Sequence, residues 1–185
     1  MADELFTENE DSQHGRYLTF TLDDDVFGIS IRFIREIIGI QNITKVPETP
    51  DFIKGIINLR GKIISIIDVR LKFGKEEIPY TERTCVIVVE MNGMIVGLIV
   101  DKVDDVLTIP DEDIASAPDG RLGFEVMYIE GIGSVDDQVL LLLDLDKFLR
   151  SDEVDAAGRA AGSEALEAAP SGADGPKESD AAVTP

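Results

Sequence analysis

A chain of 185 residues with 37 acidic against 17 basic side chains carries a net charge of −20, which repels phosphate backbones and anionic lipid headgroups and excludes nucleic-acid binding and direct membrane binding. Its 44% hydrophobic content supplies a core for one ordinary domain or for two small barrels sharing one. No apolar run reaches the roughly 18 residues of a membrane span, and the opening MADELFTENE lacks the pattern of a secretory leader, so a soluble cytoplasmic protein is expected.

Residues 1–14 hold five acids and no base and read as a disordered acidic leader. Leu18, Phe20 and Leu22 alternate with Thr19 and Thr21, and Phe27, Ile29 and Ile31 alternate with Gly28 and Ser30, which predicts two strands around an Asp23-Asp24-Asp25 turn. From Ile31 the spacing changes: Phe33, Ile34, Ile37 and Ile38 fall at helical intervals while Arg32, Arg35 and Glu36 face elsewhere, so a short helical turn is expected. Pro47 and Pro50 bracket a reversal. The run 52–74, FIKGIINLRGKIISIIDVRLKFG, then holds seven isoleucines, with two β-compatible stretches, 56–59 and 63–69, flanking Arg60-Gly61-Lys62. Glycine supplies the φ freedom of a tight reversal, and continuous Ile on both faces predicts a strand covered on two sides.

After a loop marked by Pro79, residues 85–90 and 94–100 flank Asn92-Gly93, a dipeptide that favours a type I′ hairpin. Residues 106–109 are expected to extend this hairpin until Pro110 breaks it. Residues 139–145 form a last buried strand before a short helix around 146–150, and some short helix is expected to persist in SDEVDAA beyond it, since Asp144 or Ser151 can cap a turn. The tail 151–185, with eight acids and two bases, holds too few large aliphatics to fold and is expected to be disordered. Cys85, the one cysteine, cannot form an internal disulfide and reads as a small buried hydrophobe. Many short strands between turn signals predict an all-β architecture in two halves, 15–77 and 83–150.

Catalytic chemistry finds little support. The one histidine, His14, lies in the acidic leader. Gly131 and Gly133 lack both the third glycine and the βαβ context of a dinucleotide loop. Asp101, Asp104 and Asp105, and likewise Asp111-Glu112-Asp113, offer carboxylates for glycoside hydrolysis or a cation, but they sit at strand ends, and the calcium-loop glycine is missing. The expectation is a protein without catalytic residues, cofactor or metal. Within the acidic body, residues 45–75 hold seven bases against three acids, a positive island that is either a docking surface or the solvated charge of barrel strands.

The pattern Gly55, Asn58, Arg60, Gly61 followed by Asp68, Arg70, Phe73, Gly74 resembles the chemotaxis coupling proteins, the CheW family. The resemblance continues through Phe27-Gly28-Ile29, Ile34-Arg35-Glu36-Ile37, Val96-Gly97-Leu98-Ile99-Val100-Asp101 and Tyr128-Ile129-Glu130-Gly131-Ile132-Gly133. Ser65 stands where the family usually has proline, which leaves the pairing of that strand edge open. The resemblance implies two small five-stranded, SH3-like β-barrels side by side with short helices and a groove between them. It implies an adaptor joining the cytoplasmic tips of methyl-accepting chemoreceptors to the regulatory domain of the histidine kinase CheA, with other CheW-like proteins as further partners in ring arrays. Ile34, Glu36, Gly55, Asn58, Arg60 and Gly97 are the implied receptor-binding residues, and Gly61, Asp68, Arg70 and Gly74 the structural signature. For Arg60 an internal pairing with Glu36 or Asp68 stands beside the docking role; for Ile34, plain core; for Gly97, a bulge beside a partner's close approach. An interaction module in another pathway such as surface motility is the second reading, and a carboxylate hydrolase the third.

Overall fold

The computed structural model describes residues 13–117 and 127–150; the acidic leader up to residue 12, the tail 151–185 and the Ser151 cap lie outside the described residues. Among the described residues eleven strands form two sheets. The first contains β1 (Arg16–Leu22), β2 (Asp25–Ser30), β8 (Lys102–Thr108), β9 (Ile114–Ser116), β10 (Ile129–Val135) and β11 (Gln138–Leu143), in the order β8-β1-β2-β11-β10-β9. The second contains β3 (Ile34–Gly39), β4 (Ile53–Leu59), β5 (Lys62–Asp68), β6 (Cys85–Met91) and β7 (Met94–Val100), in the order β3-β6-β7-β5-β4. Short helices at Val69–Lys72 and Leu145–Leu149 follow β5 and β11.

Three apolar clusters explain why the sheets curl. Alternate residues of the second sheet, Ile57, Ile64, Ile66, Val86, Val88 and Ile99, form one cluster inside it. Ile109, Leu140 and Leu142 form another inside the first sheet. The opposite faces, Ile67, Ile87, Val89, Val96 and Leu98 from one sheet and Leu18, Phe20, Phe27, Ile29 and Leu143 from the other, merge into the largest cluster, joined by Phe73 and Phe148. β5, β6, β7 and β11 are thus covered on both sides, which accounts for their unbroken aliphatic sequences. Each sheet closes where a short segment carries the chain from one edge strand to the other: Thr44, after β3, bridges Ile56 of β4, and the 3-10 turn Asp111–Asp113 leads from β8 to β9. The result is two barrels sharing one core.

The hairpin turns follow the sequence closely. Arg60 and Gly61 have φ of 52° and 86°, and Asn92 and Gly93 have 51° and 80°, the left-handed pairs that two-residue type I′ turns require. Asp144 caps the last helix by accepting from the Lys147 N–H at 3.0 Å.

Four expectations need correction. The sheets are not the sequence halves 15–77 and 83–150, because β1 and β2 pair with β8 and β11 while β6 and β7 pair with β3 and β5. The strand at 102–108 does not extend the β6–β7 hairpin: β7 already lies between β6 and β5, so β8 leaves that sheet and pairs with β1. Ile34 and Glu36 lie on a strand, the helical turn being confined to Ile31–Phe33. A bulge at Arg35 shifts the register against β6, and Ile37 faces outward at 44% exposure, so two apolar pairs mimic helical spacing. Ser65 is not at a sheet edge, since it pairs with Ile56 on one side and Val96 on the other.

Candidate functional site

Glu36 and Arg60 come from opposite edges of the five-stranded sheet and meet because that sheet closes. The Arg60 guanidinium donates from Nη1 and Nη2 to the two Glu36 carboxylate oxygens at 2.9 and 2.8 Å. This fork-to-fork geometry fixes the direction of the guanidinium, yet its side chain stays 77% exposed. Asn58 supports the turn from below, its Oδ1 accepting from the Gly61 N–H at 2.8 Å. Beside the pair lies a cavity of about 150 Å³ lined by Leu59, Ile64, Val88 and Ile95 and rimmed by Arg35, Glu36, Arg60 and Lys62. Arg35 is itself paired with Glu90. The lip therefore presents a pre-oriented cation over a small apolar recess, a combination suited to gripping another protein's carboxylate and aliphatic side chain.

The other residues implied for receptor binding occupy different places. All six sit in the five-stranded unit. Ile34 is half-buried and packs on that shared core. Gly55, at φ 136°, is buried because the Thr44 carbonyl lies where a Cβ would point. Gly97 faces the barrel interior, with Ile66 Cδ1 and Val86 Cγ1 at 2.5 and 2.7 Å from the position of a Cβ. Gly97 forms no bulge, its strand pairing regularly on both sides. We expect Gly97→Ala to lower stability by about 1–3 kcal/mol through overpacking, measured as a fall in the urea midpoint.

The signature residues mark the exit of β5. Asp68 caps the following helix, its Oδ1 accepting from the Leu71 N–H at 3.2 Å, and Gly74 takes φ 73° just beyond it. Arg70, with only 6% of its side chain exposed, donates Nη1 to Asp23 at 3.0 Å and Nε to Asp101 at 3.3 Å. The ion pairs Arg70–Asp23, Arg70–Asp101, Lys75–Asp23 and Lys75–Asp25 tie the five-stranded unit to the turn and seam of its neighbour. Lys54 pairs with Glu77, and Lys72 is buried with its ammonium 4.6 Å from the Phe52 ring, 4.9 Å from Phe148 and 5.3 Å from Tyr128. Most of the positive island is thus engaged internally. Nothing in the sequence marks the Lys72 cage, because its rings lie far apart along the chain.

Of the carboxylates considered for hydrolysis, Asp101 holds Arg70, Asp104 pairs with Lys102 and accepts from the Thr21 hydroxyl at 2.6 Å, and Asp105 Oδ1 accepts from the Val106 N–H at 2.7 Å, while Asp111, Glu112 and Asp113 are exposed. Among the described residues no three His, Cys, Asp or Glu side chains converge as metal ligands, and no helix is long and apolar enough to cross a membrane.

Burial raises the Asp68 carboxyl pKa above its ordinary value, although the Leu71 N–H and Lys54 pull the other way. The folded chain therefore holds this proton more tightly than the unfolded one, so Asp68 becomes unfavourable to stability as pH rises through its folded value. Asn caps a helix as well as Asp and carries no charge to desolvate. Asp68→Asn should raise the urea midpoint at pH 7, with the gain vanishing below the ordinary Asp range, where the native side chain is protonated in both states.

The CheW-like domain family matches residues 16–153 of the chain. The chemotaxis protein CheW of Klebsiella aerogenes is 41% identical over 138 residues, 75% of this chain and 83% of that protein. The chemotaxis protein CheW of Rhizobium meliloti is 34% identical over 140 residues, 76% and 90% of the two chains. The crystal structure of a scaffolding protein from Thermoanaerobacter tengcongensis superimposes with a TM-score of 0.70 at 34% identity, covering 75% of this chain and 94% of that one.

Proposed function

Because this chain belongs to the CheW family, we propose that it is a non-enzymatic chemotaxis scaffold, coupling the tips of chemoreceptors to the regulatory domain of the kinase CheA in the cytoplasm. The observation that carries this reading is the exposed Arg60 guanidinium, aimed by Glu36 over a small apolar recess. A protein that works by contact needs such anchors, a directional charged donor beside a pocket for an aliphatic side chain. Glu36, Asn58 and Arg60 form the receptor-facing lip in this reading, while Gly55, Gly97 and Ile34 act by shaping the barrel beneath and beside it. Gly61, Asp68, Arg70 and Gly74 hold the turn and the strand exit. A second protein surface is required for the kinase, whose regulatory domain is expected to share the double-barrel architecture.

The test is co-purification of the full chain with the regulatory domain of a CheA from the same genome and with a receptor-tip fragment. A complex containing all three components is expected. Binding to neither would end the proposal.

A further inference from the structure

Charge is distributed unevenly between the two barrels. In residues 31–100, the segment that builds the five-stranded barrel, ten bases meet eight acids. In the remaining described residues, which build the six-stranded barrel, four bases face fourteen acids. The second barrel thus carries all the excess negative charge of the described residues. Its carboxylates at the junction with the first, Asp23, Asp25 and Asp101, are matched by Arg70 and Lys75 across the seam. Those on its outer rim are not: Asp105, Asp111, Glu112, Asp113, Asp136 and Asp137 are exposed and have no cation partner among the described residues. Three of them lie on the 3-10 turn Asp111–Asp113 that carries the chain from edge strand β8 to edge strand β9. Self-repulsion is therefore concentrated where this barrel closes.

We propose that ionic strength sets the stability of this protein through the six-stranded barrel alone, so that the scaffold reaches full stability only in a salt-rich interior. Screening length falls from about 10 Å at 0.1 M salt to about 3 Å at 1 M. Repulsion between exposed rim carboxylates disappears over that range. The Arg70 guanidinium is buried at the seam, so its pairs with the partly exposed Asp23 and Asp101 are screened less than the rim carboxylates, and salt weakens the unfavourable interactions more than the favourable ones. The inference is independent of which partners the lip engages.

Urea unfolding of the full chain between 0.05 and 1 M KCl tests it, urea being uncharged. The native midpoint should rise with salt. Asp105→Asn/Asp111→Asn/Asp113→Asn should raise the low-salt midpoint and at least halve the dependence on KCl. A control neutralising the exposed acids of the other barrel, Asp51→Asn/Glu76→Gln/Glu82→Gln, should keep the native dependence. Choline chloride should reproduce the effect of KCl. Equal flattening by both triple variants, an unchanged slope in the rim variant, or an effect confined to K⁺ would each overturn the proposal.

Discussion

Arg60→Glu is expected to weaken binding of the chain to a receptor-tip fragment by about 2 kcal/mol or more, roughly thirty-fold in Kd, while the urea midpoint stays close to native. The two effects separate because the Arg60–Glu36 pair lies at the surface, with the arginine side chain 77% exposed. Exposed ion pairs contribute about 0–1 kcal/mol to folding, whereas an arginine that becomes enclosed at an interface is often among its strongest anchors. The substitution also sets two carboxylates face to face across the closed edge of the barrel, turning the lip repulsive towards an acidic partner. Isothermal titration and a parallel unfolding curve read the two quantities separately. The double variant Glu36→Arg/Arg60→Glu sharpens the result. It restores an ion pair within the lip but moves the guanidinium from turn to strand, so binding should remain weak if Arg60 itself touches the partner. Full recovery of binding would mean that the pair matters only as an internal brace.

Gly55→Ala is expected to destabilise the fold by about 3 kcal/mol or more, a far larger effect than one methyl group on a partner-facing surface would have. At φ 136° the backbone is in a region that only glycine adopts freely, with strain of roughly 1–3 kcal/mol for other residues. The added methyl would also overlap the Thr44 carbonyl, a rigid backbone atom. That carbonyl accepts from the Ile56 N–H at 2.9 Å, and the Thr44 N–H donates back to the Ile56 carbonyl at 2.9 Å. This bridge closes the five-stranded barrel, so displacing it loosens the edges that bring Glu36 to Arg60. The variant should lose receptor binding in proportion to its loss of folded protein, and stabilising it with salt or osmolyte should restore both together. A variant of native stability with abolished binding would instead make Gly55 a direct contact.

The residues that were legible from the sequence are those whose role is local. Arg60-Gly61 and Asn92-Gly93 announce their turns because few residue pairs accept left-handed φ at two successive positions. The isoleucines of β5 announce a doubly covered strand because only burial on both faces tolerates such a run. The helical reading of Ile34 to Ile38 failed for a related reason: hydrophobic spacing reports which side chains are apolar, and an exposed Ile37 beside a bulge is indistinguishable from the second turn of a helix. For the candidate site, the family pattern picked out Arg60, Glu36 and Asn58, which the fold gathers at one lip. Gly55 and Gly97 belong to the same pattern but lie beneath the surface, and only coordinates distinguish a glycine that admits a partner from one that admits its own neighbours.

The amino-acid order by itself determined the all-β class, the principal turns and the family, since φ preferences, β-branched side chains and short motifs act within a few residues of one another. Tertiary structure alone decided that β1 and β2 join β8 and β11 rather than their sequence neighbours. It likewise decided that Arg70 finds Asp23 and Asp101 across the seam. The reason is that strand pairing between distant segments depends on which sheet edges remain free and on which faces bury together in the shared core, and neither property belongs to any local stretch of chain.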